Sequence, residues 1–201
     1  MRLFPIFLKL RGRRCLIVGG GRISEGKVAG LLSTGAKIKL VSPKVTPQIA
    51  AWHRSGRLCW EKRTFQNSDM ERVFLVVAAT SSSHVHRTIF REAQKRGILC
   101  NIVDVPELCD FYYPAVVQRG DLQIAISTAG ASPSLAKRLR RQLENEFGPE
   151  YANWLKELAR KRQKIRKAKL KPAEQVRLLE ALAGNEAFSA YQRGIRPKKA
   201  R

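Results

Sequence analysis

The chain has 201 residues, and its 39 Lys and Arg outnumber its 16 Asp and Glu to give a formal net charge of +23. Its hydrophobic fraction of 44% is enough to build a core, which excludes a wholly disordered chain. No apolar run approaches the ~20 residues of a membrane-spanning helix, so we expect a cytoplasmic protein with no membrane partner.

Strand-like and helix-like segments alternate over the first 130 residues, which is typical of a parallel sheet with helices on its faces. The strand-like segments are mostly apolar and lie at 15–18, 38–41, 58–61, 73–79, 98–103 and 122–127. Helices are predicted between them at 23–33, 47–54 and 84–96. This pattern predicts the α/β fold class.

The remainder of the chain is predicted to be helical. Ser132 and Pro133 indicate an N-cap followed by proline at the first helical position, and the helix that they begin extends to about 147. Residues 150–190 are helix-like with one break at Pro172, and residues 194–201 are expected to fray.

Positive charge is concentrated towards the C-terminus, where residues 155–201 carry 15 Lys and Arg against 4 Asp and Glu. Such a run is usually a solvated helix face or a surface that contacts a polyanion. Nucleic acid, a membrane surface and a carboxylate-rich small substrate are the candidate polyanions. The densest part, 156–171, has no interleaved aromatic residues, which gives base stacking little support.

A glycine-rich turn, Gly19, Gly20 and Gly21, follows the first predicted strand and precedes the first predicted helix. Together with Ser24 it fits the pattern G-x-G-x-x-small. Glycines at these places permit a tight turn and let a pyrophosphate approach the backbone, where the free N–H groups of a helix N-terminus bind it. We predict a dinucleotide site; a tight turn that binds nothing is the alternative.

The end of the second predicted strand bears on which dinucleotide binds. NAD sites usually place Asp or Glu there to hold the ribose hydroxyls. Ser42, Pro43 and Lys44 stand at this position instead. Since Lys44 could favour a 2′-phosphate, the residues alone leave both NAD and NADP open.

Two other strand ends carry residues suited to a ligand, because ligands of open α/β sheets bind at the carboxyl ends of the strands. Ala79, Thr80 and Ser81 are small enough to let a nicotinamide or a ribose pass close to the backbone. A loop with a helix N-cap is a compatible interpretation of the same residues. Asp104 follows a buried strand, where a general base would lie, and a turn or capping role is its alternative.

The cysteines and histidines do not suggest a metal site. Cys15, Cys59 and Cys100 lie in strand-like runs and are interpreted as small buried hydrophobes, and no C-x-x-C pair occurs. His84 and His86 are two residues apart, a spacing that does not bring them to one face of a helix. We therefore predict no resident metal ion and no disulfide framework.

Longer segments, taken in order, resemble the precorrin-2 dehydrogenase module of siroheme synthases. The resemblance covers roughly residues 2–155 and is carried by segments at 5–21, 78–80, 101–104, 111–115 and 126–136. It implies a Rossmann-like NAD-binding domain with a parallel sheet, then a small dimerisation segment, then a basic helical C-terminal domain. The corresponding boundaries are 1–112, 113–147 and 148–201.

The resemblance also implies a chemistry, in which precorrin-2 is dehydrogenated to sirohydrochlorin with NAD⁺ as hydride acceptor and Asp104 as general base. Some family members insert Fe²⁺ into sirohydrochlorin as well, so Fe²⁺ or Co²⁺ as a further substrate stays open. Cofactor contacts are implied at Arg22 and Ile23, and at the residues that follow the second strand. The family forms homodimers in which a segment matching 113–147 is exchanged between subunits.

Substrate-binding residues are expected beyond the sheet, because the acetate and propionate groups of precorrin-2 favour basic side chains. The candidates are Thr128, Ser132, Lys137 and Arg138. For the two cations a solvated helix face is the alternative.

The chain departs from the family pattern where Ser81, Ser82 and His86 replace the usual Asp or Asn residues, so the local hydrogen bonding there is in doubt. Two other functions compete with the dehydrogenase. One is metal chelation without redox chemistry. The other is a nucleotide-sensing regulator whose basic helices bind nucleic acid, although no helix-turn-helix pattern stands out in 150–201.

Overall fold

The computed structural model describes residues 2–195, which divide into two compact units between Tyr112 and Tyr113. The first unit is built on a five-stranded parallel sheet with the strand order β3-β2-β1-β4-β5. The strands are β1 (Arg14–Val18), β2 (Lys37–Val41), β3 (Cys59–Glu61), β4 (Leu75–Ala78) and β5 (Leu99–Ile102). The predicted α/β class and parallel sheet are therefore confirmed.

Helices cover both faces of this sheet, which explains why its central strands are almost wholly apolar. The helices are α1 (Arg22–Leu32), α2 (Pro47–Arg54) and α3 (Ser83–Arg96). Val28 of α1 and Ile49 of α2 lie in one core cluster with strand residues, whereas Ile89 of α3 lies in the other. In β4, Val76 and Val77 are fully buried in opposite clusters.

The register of the sheet brings four strand ends to one edge. Val18 of β1 is paired with Val41 of β2 and with Ala78 of β4, and Ala78 is paired in turn with Ile102 of β5. The loops that follow these four residues therefore start side by side. The chain order reverses between β1 and β4, and such a switch point opens a crevice at the carboxyl ends of the strands.

The second unit contains a two-stranded antiparallel sheet and four helices within the described residues. Its strands are β6 (Ala115–Arg119) and β7 (Leu122–Ile126), and its helices are α4 (Pro133–Glu146), α5 (Glu150–Lys167), α6 (Pro172–Ala183) and α7 (Asn185–Ile195). The Arg119 guanidinium fastens the end of the hairpin to the helical part by donating hydrogen bonds to Phe147 O at 2.7 Å and Glu144 O at 2.9 Å.

The prediction that 122–127 adds another strand to the parallel sheet is wrong. This segment forms β7, which pairs antiparallel with β6, a strand that the sequence analysis did not predict. Only Gly120 and Asp121 separate the two strands. A two-residue connection makes a hairpin and is far too short for the crossover that parallel strands need.

Two smaller expectations also need correction. The region 150–190 has a second break, at Gly184, where α6 ends and α7 begins one residue later. Cys15 and Cys100 are buried as expected, but Cys59 is exposed, because β3 is the edge strand of the sheet. Fraying was also expected over 194–201. Residues 194 and 195 are still part of α7, and 196–201 lie outside the described residues.

No helix among residues 2–195 is both long enough and apolar enough to cross a bilayer.

Candidate dinucleotide-binding site

The glycine-rich turn begins at Gly19, directly after β1. Its N–H donates a hydrogen bond to Val41 O at 3.0 Å, which ties the turn to the end of β2. Its φ of +114° lies in the region that favours glycine, and a Cβ there would stand 2.2 Å from Ala79 O. Gly19 is therefore required by the fold itself.

Gly20 is required for a different reason, namely the loop that follows β2. A Cβ at Gly20 would stand 2.0 Å from Lys44 O, and the Gly20 carbonyl accepts a hydrogen bond from Thr46 N at 3.0 Å. The Ser42 hydroxyl donates to Lys44 O at 2.7 Å, which holds that loop in place. Any side chain at Gly20 would separate the two loops.

Gly21 is the N-cap of α1, and no protein neighbour requires a glycine there. Its φ is −80°, a Cβ would meet nothing within 4 Å, and no side chain caps the helix. Arg22 and Ile23, the first residues of the helix, are exposed. The first turn of a helix has unpaired N–H groups and a partial positive charge, so this open space suits a phosphate.

Ser24 occupies the third small position of the motif and is fully buried. Its Oγ would be 3.3 Å from a Cβ placed on Gly19, and it has no hydrogen-bond partner among the described residues. A small residue is needed here because the first turn of α1 packs closely on the turn that leaves β1. The geometry of all four motif positions thus fits the pyrophosphate of a dinucleotide.

The residues that follow β2 differ in how much of each is available to a ligand. The Ser42 side chain is occupied within its own loop, and the Trp60 indole N–H donates to Ser42 O at 2.8 Å. Pro43 and Lys44 are exposed beside the glycine turn. Their proposed contacts with the cofactor stay predictions, and no acidic side chain is present at this strand end.

The loop after β4 lies against the glycine turn, because Ala79 N donates to Val18 O at 2.8 Å. Ala79 and Thr80 are half-buried and Ser81 is exposed. Ser82 is the N-cap of α3 and accepts a hydrogen bond from Val85 N at 3.4 Å. The capping interpretation of this loop is therefore correct, and it leaves Ala79, Thr80 and Ser81 beside the turn.

Asp104 follows β5 at the same edge of the sheet. It is exposed and has a φ of +62°, a strained conformation for a residue other than glycine. The Cys109 thiol holds the loop around it, because its Sγ lies 3.1 Å from Ile102 O and 3.3 Å from Val105 O. The carboxylate is thus presented to solvent by a loop that is fixed on both sides of it.

Lys27 of α1 is a member of this site that the sequence analysis missed. Burial lowers the pKa of its ammonium, and the nearby carboxylate of Asp104 acts in the opposite direction. Lys27 is half-buried and lies one helical turn after Ser24. This spacing from the glycine motif was the available sequence signal, but it does not by itself indicate an acidic neighbour.

The remaining candidates lie in the second unit. Ser132 caps α4 by accepting from Leu135 N at 3.2 Å, and its own N–H donates to Thr128 Oγ1 at 3.2 Å. Lys137 and Arg138 are exposed on α4. The structure thus gives Ser132 and Thr128 local structural roles, and the substrate contacts of all four residues stay predictions.

No group of three or more His, Cys, Asp or Glu residues that could hold a metal ion occurs within 2–195. His84 is exposed, whereas His86 is buried and its Nε2 has no hydrogen-bond partner among those residues.

Two family profiles match the chain. A family described as putative NAD(P)-binding matches residues 6–115, which is more than half of the chain and contains the whole glycine turn. The chain belongs to this NAD(P)-binding family. A second profile, described as sirohaem biosynthesis protein central, matches residues 119–146. The predicted cofactor class and the resemblance to the siroheme synthase module are therefore confirmed.

Proteins similar to this chain include siroheme synthases. The chain is 37% identical to the siroheme synthase of Nitrosococcus oceani over 166 residues, and 42% identical to that of Methylobacillus flagellatus over 151 residues. These matches cover 83% and 75% of the chain, but only 36% and 32% of the two relatives. The chain thus spans about a third of the length of these relatives.

A solved structure matches nearly the whole chain. It is described as SirC, precorrin-2 dehydrogenase, and it superposes with a TM-score of 0.78 at 29% sequence identity. The match covers 92% of this chain and 91% of SirC. The match to SirC therefore extends over the first unit and most of the second unit.

Proposed function

We propose that the chain is an NAD-dependent precorrin-2 dehydrogenase of siroheme or related tetrapyrrole biosynthesis. The observation that carries the proposal is the match to SirC, which extends over 92% of one chain and 91% of the other. The curated relatives are named siroheme synthases, which supports the same pathway. The dinucleotide turn supplies the cofactor site that this reaction needs.

The glycine turn and the first turn of α1 would hold the dinucleotide. Gly21 leaves space for the pyrophosphate, and the N–H groups of Arg22 and Ile23 would bind it. Ala79 and Thr80 form the neighbouring wall of the crevice. When bound, NAD⁺ supplies a hydride acceptor. The NAD(P)-binding profile and the match to a precorrin-2 dehydrogenase support NAD⁺ as the cofactor.

Asp104 is the proposed general base. Its carboxylate is exposed at the carboxyl edge of the sheet, so it can accept the proton that precorrin-2 loses. Lys27 adds a positive charge beside it. The fixed loop around Asp104 would keep the carboxylate in one position, which a general base needs in order to act at a defined carbon of the substrate.

The proposal is tested by anaerobic mixing of the protein with freshly generated precorrin-2 and NAD⁺, while NADH absorbance and the tetrapyrrole spectrum are recorded. We expect NADH to form with the wild type. Asp104→Asn should bind NAD⁺ normally but lose most NADH formation, since a general base contributes about 10²–10⁴-fold. Glu107→Gln, an exposed acid in the same loop, is the control and should retain activity.

The role of Asp104 and the dehydrogenase activity would be contradicted by two different results. Wild-type turnover by Asp104→Asn would remove the proposed role of Asp104 and leave the activity in place. Absence of NADH formation by the wild type with NAD⁺ and with NADP⁺ would contradict the dehydrogenase itself. No observation favours the nucleotide-sensing regulator, and it is not proposed.

The homodimer, the metal substrate and the cytoplasmic location complete the proposal. Exchange of residues 113–147 between subunits would form the dimer, and sedimentation equilibrium tests whether two copies associate.

Thr128, Ser132, Lys137 and Arg138 are proposed to contact the tetrapyrrole. Adding Fe²⁺ or Co²⁺ after the dehydrogenation phase tests chelation, which would appear as metal insertion faster than the protein-free rate.

A further inference from the structure

One face of α5 carries a row of positive charges. The helix packs through its opposite face, where Trp154 is buried and Leu158 and Ile165 are half-buried. An α-helix turns about 100° per residue, so residues spaced by four, four and three positions share a face. The exposed residues at these spacings, here called the basic stripe, are Lys156, Arg160, Lys164 and Lys167.

The basic stripe has no compensating acid. None of its four side chains forms a hydrogen bond or an ion pair with any residue in 2–195. The nearest acid on the helix, Glu157, lies beside the stripe and is paired with Lys161 at 2.7 Å. Like charges at these spacings repel one another, so a bound polyanion would stabilise the helix.

The spacing of the stripe suits several anionic groups on one ligand. A rise of 1.5 Å per residue separates neighbouring cations by about 4.5–6 Å along the axis and the outer two by about 16 Å. A tetrapyrrole with acetate and propionate groups around its ring presents carboxylates on this scale. Lysine and arginine bind carboxylates through charge-assisted hydrogen bonds.

The side chains around the basic stripe disfavour a lipid surface and single-stranded nucleic acid as its ligand. Ala159 and Gln163 lie between the cations, and none of the exposed large hydrophobic residues of the described chain is on α5. A helix that binds a lipid surface needs apolar side chains to insert. Single-stranded nucleic acid is bound with the help of exposed aromatic side chains, and this face has none.

We propose that the basic stripe of α5 captures the carboxylate-rich tetrapyrrole substrate by electrostatic attraction. This inference rests on the proposed dehydrogenase function. A concentrated positive surface raises the rate of encounter with an anionic ligand by about 10–10³-fold, and added salt screens the effect. The capture rate of the enzyme should therefore depend on ionic strength through these four residues.

The test compares two variants that each lose four positive charges. The stripe variant is Lys156→Gln, Arg160→Gln, Lys164→Gln and Lys167→Gln; glutamine favours helix as well as lysine does, so α5 should persist. The control variant removes four exposed cations from the opposite edge of the sheet in the first unit. Its substitutions are Arg11→Gln, Lys37→Gln, Arg54→Gln and Arg57→Gln.

The first readout is the binding of uroporphyrin, a stable carboxylate-rich tetrapyrrole, titrated at low and at high salt and followed by its fluorescence. We expect the stripe variant to lose about tenfold or more in affinity at low salt, and the loss to vanish at high salt. The control variant should stay close to the wild type. Circular dichroism checks that both variants retain their helices.

Equal uroporphyrin affinity in the stripe variant and the wild type would overturn the proposal. An equal loss of uroporphyrin affinity in the stripe variant and the control variant would also overturn it, because that result would reflect net charge alone. Binding of a short DNA duplex through the stripe, with no uroporphyrin binding, would also overturn it and assign the surface to nucleic acid.

The second readout is kcat/KM for precorrin-2, which should fall in the stripe variant and depend less on salt than in the wild type. If the wild type forms no NADH, the proposed function fails. The uroporphyrin titration still tests whether the basic stripe binds a carboxylate-rich tetrapyrrole in that case, because binding of the probe requires no turnover.

Discussion

At the scale of single residues, each of the three glycines of the turn lacks a side chain for its own physical reason. Gly19 has a positive φ and lies against Ala79 O, and Gly20 lies against Lys44 O. Both are required by neighbouring backbone. Gly21 has an ordinary φ and open space around it, so only a ligand can require the absence of a side chain there.

This difference predicts opposite behaviour for two alanine variants. Gly19→Ala should lower the free energy of unfolding by about 1–3 kcal/mol, because the new Cβ clashes with backbone. Gly21→Ala should change urea unfolding less, by about 1 kcal/mol or below, because glycine is the better N-cap, and it should weaken NAD⁺ binding about tenfold or more. Calorimetric titration and urea unfolding measure the two effects, and normal NAD⁺ affinity in Gly21→Ala would contradict the placement of the pyrophosphate.

Asp69 is a second residue whose surroundings have measurable consequences. It is buried in a short 3₁₀ helix (Asn67–Met70), with Lys39 Nζ at 2.8 Å and the Arg63 guanidinium at 2.7 Å. Burial alone raises the pKa of this carboxyl, but the hydrogen bonds from Arg63 and Lys39 outweigh it and hold the pKa well below its usual range. The ionised form is therefore the native one.

Asp69 should make stability depend on pH in the acid range. Because its native pKa lies below the unfolded value of about 3.9, the stabilisation is complete above that value and is lost as the pH falls through the native pKa. Asp69→Asn should cost about 1.5–3 kcal/mol at neutral pH and reduce this dependence, because the two cations that lose their partner are partly solvated. Urea unfolding from pH 7 to pH 3 measures it, with the exposed Glu71→Gln as control.

At the scale of elements, an aromatic cluster joins α5 and α7. Trp154 is 5% exposed, and its ring centroid lies 4.9 Å from that of Tyr191 and 5.9 Å from that of Phe188. Tyr151 extends the cluster, with its ring centroid 4.5 Å from that of Phe188. The C-terminal helix is therefore held by aromatic packing from a helix whose other face is highly charged.

Removing the central ring should loosen this part of the second unit. Trp154→Ala should lower the free energy of unfolding by about 3–5 kcal/mol and increase hydrogen exchange in α7. Val176→Ala on α6 is the control, since Val176 is 54% exposed and should change stability little. Unchanged exchange in α7 would show that the helix is held by other contacts.

At the scale of the whole molecule, the division into two compact units predicts where a cofactor acts. All residues of the candidate dinucleotide site belong to the unit that ends at Tyr112. A ligand at 100 times its Kd stabilises the state that it binds by about 2.7 kcal/mol.

Hydrogen exchange with saturating NAD⁺ should therefore show its largest protection around the glycine turn, the loop after β2 and the loop after β4. Helices α6 and α7 should change least. The same experiment on Gly21→Ala is the control and should show protection that is weaker by about 1.4 kcal/mol for a tenfold loss of affinity at the same NAD⁺ concentration. Protection confined to α6 and α7 would contradict the assigned site.

The sequence by itself determined the parts of this protein that depend on neighbouring residues. The glycine turn, the alternation of strands and helices and the cap formed by Ser132 and Pro133 are local patterns, and the structure agrees with each of them. Such patterns are informative because turn conformation, helix capping and two-sided burial leave few choices of residue type.

Only the tertiary structure decided which distant residues meet. It paired 122–126 with 115–119 and left Cys59 exposed on an edge strand. It also brought Lys27 close to Asp104, which lies 77 positions away in the sequence. These outcomes depend on how the elements pack. Packing is set by contacts between distant segments, and the local sequence of one segment does not indicate which other segment it will contact.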